Sequence, residues 1–150
     1  MDVANSPTAA LSGGEMFFTR SFDAPRRRVF EAWSRAEQVS WWWGPRGFTL
    51  SACDIDFRPG GAFHLVMRGH DGAEYPFDGV YREIVPQERI AFTGTVGHEE
   101  ILTTVTFAEW AGRTTLTVRQ TVPSDESYAR GQRRGWTETL ERLEEHLAAG

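Results

Sequence analysis

Cysteine is nearly missing from this chain. Cys53 stands alone among 150 residues, so neither a disulfide within the chain nor a thiolate metal cluster can form. Cys53 itself reads as a small buried hydrophobe rather than a reactive thiol. An excess of positive charge is missing too. With 16 Lys and Arg against 21 Asp and Glu, the formal net charge is −5, and no overall basic field gathers nucleic acid. Long apolar runs are absent: none approaches the roughly 18 residues of a membrane span. The opening MDVANSPTAALSGG has neither the basic start nor the continuous apolar stretch of a secretory signal. These absences predict a cytoplasmic protein with no nucleic-acid partner and no membrane insertion. No repeat, low-complexity tract or interdomain linker interrupts the chain, whose length suits one domain able to bury roughly 68–70% of its unfolded surface.

Catalytic and metal-binding motifs are equally scarce. The four histidines, His64, His70, His98 and His146, fit no HExxH or other ligand spacing. No G-x-S-x-G elbow and no phosphate-binding glycine loop occurs. No metal and no cofactor is therefore expected, and no catalytic residue is assigned. His64 is opposite in parity to its apolar neighbours and should face solvent, His70 and His98 fall in a turn and a loop, and His146 falls on the outer face of the last helix. Asp54, Asp56 and Arg58 read as surface ion pairs, and PRRR at 25–28 as a solvated basic run at a helix start.

Aromatic surface is what the chain has in quantity: 13% of residues, with 10 Phe and 6 Trp. Such a content fits either a large core or an internal apolar pocket. Half of the tryptophans are consecutive, in SWWWGPRGF at 40–48. Neighbouring side chains point about 100° apart on a helix and to opposite faces on a strand, so three adjacent rings cannot share one interior. Gly44-Pro45 directly after them stops a helix.

Periodicity orders the rest. EMFFTRSF at 15–22 reads as a strand. DAPRRRVFEAW then places Asp23 as an N-cap and Pro25 near the first helical position, with Val29, Phe30 and Trp33 as one apolar stripe. A second short helix over 36–42 ends at the Gly-Pro. Six strands follow: FTLSACDIDF, AFHLVMR, EYPFDGVYREIV, ERIAFTGTV, ILTTVTFAEW and RTTLTVRQTV, joined by short turns as in an antiparallel meander. From about 124 to 148 the period is helical again, with Trp136, Leu140, Leu143 and Leu147 on one face. An antiparallel sheet with one apolar face needs a cover, and this helix is the available one. The predicted fold class is α+β: a curved antiparallel sheet of six to seven strands gripping a long C-terminal helix, with two short helices after the first strand. Residues 1–14 are expected to be a mobile leader, and 15–150 the domain.

The element order resembles the START-like, helix-grip (SRPBCC) superfamily. Within it the chain is similar to the branch homologous to the C-terminal domain of the activator of heat-shock protein 90 ATPase. The matching segments are DAPRRRVFEAW, WWGPRGFT at 42–49, DFRPGGAFHLVM at 56–67, DGVYREIVPQERIAFT at 78–93, TTLTV and GWTETLERLEEHL at 135–147. The resemblance covers about 17–147 and implies a hydrophobic cavity between sheet and last helix, with Trp-Trp-Gly-Pro near one end of it. It carries no catalytic motif. Three readings of function follow: a small apolar or amphipathic molecule bound in the cavity, chemistry of the polyketide cyclase or hydrolase type in that cavity, or a chaperone-associated interaction module. Either a monomer or a homodimer is compatible with each.

Strand parity and helical spacing select the candidate ligand-binding residues. Phe63, Leu65 and Met67 share one face of their strand, Phe77, Gly79 and Tyr81 that of the next, and Ile90 and Phe92 alternate likewise. Trp136, Leu140 and Leu143 should face them from the helix. Three adjacent rings cannot all point inward, and the resemblance matches Trp42-Trp43-Gly44-Pro45 with Trp41 as the extra residue; it therefore implies that Trp42 or Trp43, but not Trp41, points to the cavity end, either as a plug or in contact with ligand. For most of this set a filled core is the preferred reading. Gly79, Gly131 and Gly135, each costly within a regular element, raise the question of close backbone approach.

Overall fold

The computed structural model describes residues 10–12 and 14–149. In chain order the elements are β1 (Ala10–Ser12), β2 (Glu15–Phe22), α1 (Arg26–Ser34), α2 (Ala36–Trp42), β3 (Thr49–Ile55), β4 (Ala62–Arg68), β5 (Glu74–Val85), β6 (Arg89–Val96), β7 (Glu99–Trp110), β8 (Arg113–Thr121) and α3 (Glu126–Ala149). One sheet contains all the strands in the order β1-β2-β8-β7-β6-β5-β4-β3, each antiparallel to its neighbour. The seven long strands are those the alternation predicts. Of the expected leader, residues 1–9 and 13 lie outside the described residues, while Ala10–Ser12 pairs with β2 along the sheet edge.

The meander β3 to β8 is closed by β2 lying against β8, with Phe18 opposite Val118. The two short helices therefore carry the chain from β2, near one edge, to β3 at the other. Pro25, not Asp23, occupies the N-cap position of α1. Proline's fixed φ starts the helix two residues later than an Asp23 cap would. The first free N–H, that of Arg26, instead donates to the Glu109 carboxylate on β7 at 2.8 Å. At the start of α3 the Asp125 carboxylate accepts from the Ser127 N–H at 2.8 Å, the capping arrangement that a helix N-terminus favours.

Two inward glycines shape the concave face. Gly79 and Gly94 are cross-strand partners on β5 and β6. A Cβ on Gly79 would lie 2.1 Å from the Thr93 carbonyl oxygen and 2.3 Å from the Phe63 ring, and one on Gly94 would lie 2.5 Å from the Phe77 ring. Each missing side chain is the seat of a phenyl ring, so the sheet curls with aromatics lying flat against its backbone. Register shifts at Leu50/Ala52 and Tyr81/Glu83 add to the bend. Against this face α3 buries Trp136, Leu140, Leu143 and Leu147, the predicted stripe.

Candidate functional site

Consecutive tryptophans at the end of α2 take three different environments. Trp41 is 72% exposed, Trp42 is wholly buried, and Trp43 is half-buried with its ring toward the interior. The Trp42 indole N–H donates to the Ala32 carbonyl at 3.1 Å, and its ring meets that of Trp33 edge-on at 4.8 Å. Trp42 thus fastens α2 to α1. Trp43 leans onto Phe77, nearly parallel at 6.1 Å, and stands edge-on to Trp136 at 5.6 Å. Trp136 in turn stacks on Trp33 at 6.1 Å. Aromatic contacts in these offset and edge-on arrangements are each favourable beyond the area they bury.

Beyond Trp43 the loop 43–48 crosses in front of α3 and leaves a cavity of about 380 Å³ between itself, the sheet and the helix. Trp43, Gly44, Pro45 and Phe48 form its loop wall, Met67, Phe77 and Val96 belong to its sheet wall, and Gly135, Trp136 and Thr139 belong to its helix wall. Gly135 matters here: a Cβ on it would have nothing within 4 Å, so its missing side chain adds open space to the cavity. Gly44, at φ +100°, would bring a Cβ to 3.1 Å from the Met67 sulfur, and its left-handed backbone makes the turn that sends the loop over α3.

The structure divides the candidate residues. Trp43, Met67, Phe77 and Trp136 line the cavity together. Phe63, Leu65, Tyr81 and Phe92 lie deeper, around a void of only about 20 Å³, where Phe63 packs on Phe77, Tyr81 and Phe92 at 5.3–5.5 Å. Trp42 and Leu140 line neither space, because both are completely enclosed by the packing of helices and sheet. So the inner half of the grip is filled core and the half nearer the loop is open.

Polar groups were less legible. Among the described residues no charged side chain lines the cavity; its polar members are Tyr75, Thr95, Gln120, Tyr128, Gln132 and Thr139. Among the described residues, two buried side-chain atoms have no hydrogen-bond partner, the Trp33 indole nitrogen and Gln120 Oε1. Gln120 was not among the candidates, although the parity of Leu116 and Val118 on the same strand would have turned it inward. Arg142 lies off the apolar stripe of α3. It is nonetheless half-buried, its guanidinium donating to the carbonyls of Trp41, Trp43, Gly44, Pro45 and Phe48. Burial lowers its pKa.

The remaining titratable candidates stand away from the cavity. Cys53 is half-buried, donates to the Ala36 carbonyl at 3.4 Å, and has its thiol pushed up to about 11 by desolvation and then by Asp54. His64 faces solvent and bonds to Asp78, whose carboxylate raises its pKa. His146 is corrected: it does not lie on an outer face but against α2, 3.2 Å from Gln38 Oε1, and burial lowers its pKa. The helix pair folds back over that side of α3, which the period of α3 alone cannot indicate. Arg58 pairs with Asp56 at 2.9 Å on the surface. Among the described residues no cluster of three metal-ligating side chains occurs, and no helix is long and apolar enough to cross a membrane.

Comparison with known proteins agrees with this architecture. The model of a family described as Activator of Hsp90 ATPase homolog 1-like protein matches residues 23–148. No curated protein matches the chain. Among solved structures, a protein of Chromobacterium violaceum is 28% identical, with a TM-score of 0.78 over 87% of this chain and 95% of that one. One from Nitrosomonas europaea is 22% identical, with a TM-score of 0.82 over 93% of this chain and 97% of that one. An AHSA1 protein of Silicibacter pomeroyi is 24% identical, with a TM-score of 0.80 over 90% and 98%. The last two show the fold alone.

Proposed function

This chain belongs to the Activator of Hsp90 ATPase homolog 1-like family, and from that premise we propose that it binds a small, neutral, largely apolar molecule in the cavity between sheet, loop 43–48 and α3. The observation that carries the reading is the cavity itself, about 380 Å³ walled mainly by aromatic and aliphatic side chains with a few neutral polar ones and, among the described residues, no charged one. Burying apolar ligand surface there contributes about 25 cal/mol per Å², with a few polar groups to set orientation. A charged ligand would lose its hydration and meet no counter-charge on the wall. The same composition favours binding over acid–base catalysis, since among the described residues no carboxylate, imidazole or thiol lines the space.

Naphthalene is a suitable neutral probe, followed through the indole N–H resonances of Trp43 and Trp136 in a two-dimensional NMR titration. Both signals should shift and saturate. Gly135→Leu fills the space opposite Trp43 and should abolish the shifts while leaving the spectrum folded. Gly131→Ala, on the same helix but away from the wall, should leave them as in the parent. Unmoved indole signals, or equal binding by Gly135→Leu, would rule the cavity out as the binding site.

A further inference from the structure

Inward positions on β8 run Thr114, Leu116, Val118 and Gln120, and all four are buried. The last is the anomaly. An amide at an inward position of a sheet costs free energy unless both of its ends are paired. Gln120 is 2% exposed. One end of its amide, Nε2, donates to Thr103 Oγ1 at 3.0 Å. Thr103 is its direct cross-strand partner on β7 and is itself buried, so the pair is locked by the ladder. The other end, Oε1, has no partner. Gln120 also belongs to the cavity wall, where it is the only residue with a buried, unpaired side-chain polar atom among the described residues.

We infer that Gln120, held by Thr103, is the specificity-determining group of the cavity, and that the ligand class is a neutral apolar molecule carrying a hydroxyl. The inference rests on the cavity-binding reading above and adds to it the chemistry of the ligand's one polar group. A hydroxyl both donates and accepts. With a small turn of the Gln120 side chain toward the space, it can therefore complete the amide either by donating to Oε1 or, with the amide reversed so that Thr103 donates to the oxygen, by accepting from the NH₂. A hydrocarbon of the same size would leave the amide unpaired in a newly dried cavity. A carboxylate would bring a charge that nothing on the wall compensates. Thr139 and Gln132, facing the same space from α3, leave room for a second, weaker polar contact nearer the helix.

The test compares 2-naphthol with 2-methylnaphthalene, two neutral probes in which hydroxyl replaces methyl at nearly constant shape. The quantity read is the ratio of their dissociation constants, in the parent protein and in Gln120→Leu, from the Trp43 and Trp136 indole shifts. Removing the amide should change that ratio by about 10-fold against the naphthol, the expectation for one buried hydrogen bond. In the parent, naphthol alone should also shift the Gln120 side-chain NH₂ resonances. Gln120→Met, unbranched and close in volume, gives the same measurement should the branched leucine unfold the strand. A ratio unchanged within about twofold in both variants would overturn the assignment of Gln120 while leaving the cavity as binding site. Failure of both probes to bind the parent protein would overturn the cavity reading and this inference with it.

Discussion

Arg142 Nη1 donates to the Gly44 carbonyl oxygen at 2.9 Å, across a separation of 98 residues. The same nitrogen lies 3.2–3.3 Å from the carbonyls of Trp43, Pro45 and Phe48, and Nη2 is 3.1 Å from that of Trp41. A helix end and the loop after it leave carbonyls unpaired, and here a guanidinium from a distant helix collects one from α2, one from its C-cap and three from the loop. The exchange is mutual: Arg46 in the loop gives its backbone N–H to Glu138 at 3.0 Å and pairs its side chain with Glu141 and Glu145. The loop wall of the cavity is therefore fixed by α3, the element that also forms the opposite wall.

Replacing Arg142 by Met should destabilise the fold by about 2–3 kcal/mol, because several carbonyls lose a charged donor at once. Lysine should restore little of this, since a point charge with three donors cannot reproduce the planar fork. Chemical denaturation gives the energies. Hydrogen exchange should localise the loosening to 41–48, and loosening spread evenly over the sheet would contradict the clamp.

The tryptophans should separate cleanly. Trp42→Ala removes a wholly buried ring and its bond to Ala32, and should cost about 3–5 kcal/mol. Trp41→Ala touches an exposed ring and should stay within about 0.5 kcal/mol of the parent. Trp43→Ala should lie between them and, alone of the three, weaken naphthalene binding beyond its effect on stability. The reverse order of stabilities in urea melts would show that the register of this segment is wrong.

Glycine substitutions should split by surroundings. Gly79→Ala drives a Cβ into backbone and ring atoms and should cost more than about 3 kcal/mol. At Gly131, inside α3, a Cβ would meet nothing within 4 Å, so Gly131→Ala should stabilise by about 0.8–1 kcal/mol through helix propensity. Thermal melts of the two variants on opposite sides of the parent are the expected result. A neutral Gly79→Ala would remove the steric account of the sheet's curl.

Two histidines should respond to pH in opposite senses. His64 has its folded pKa raised, first by its bond to Asp78, so its contribution to stability is complete below the unfolded value of about 6.5 and is lost as pH rises through the folded pKa. His146 has its folded pKa lowered, first by burial, so its contribution is present above that unfolded value and is lost as pH falls through the folded pKa. Imidazole NMR titrations should place the His64 midpoint above that of His146. Asp78→Asn should bring His64 back toward its ordinary value and leave His146 unmoved; the same midpoint for both histidines would refute the assignment.

Cys53, with its thiol pushed up to about 11, should alkylate slowly with iodoacetamide at pH 8 in the folded protein. Urea should accelerate the reaction strongly. Rapid labelling under native conditions would mean that the thiol is neither desolvated nor held by the Ala36 carbonyl.

The sequence by itself determined the elements and their faces. Strands over Ala62–Arg68 and Glu74–Val85, the helix over Ala36–Trp42 and the stripe from Trp136 to Leu147 all follow from alternation, helical spacing and the turns that bound them. Those signals are local: they depend on neighbours a few residues away and on whether one face can be buried. Local geometry required at least one of the three tryptophans to turn away from the interior, and the resemblance of Trp42-Trp43-Gly44-Pro45 to the family segment implied that this one is Trp41. Tertiary structure alone decided which apolar residues form filled core and which form a cavity wall. Phe63 and Phe77 belong to the same predicted face, yet only Phe77 borders the open space, because Gly135 adds no side chain there while Phe63 is enclosed by Tyr81 and Phe92. It also decided the partners of Arg142, Gln120 and His146. An arginine on a helix, a glutamine on a strand and a histidine near a C-terminus have many possible partners in one dimension. Which ones they meet is fixed only when segments some 17 to 108 residues apart come within 3.2 Å of one another.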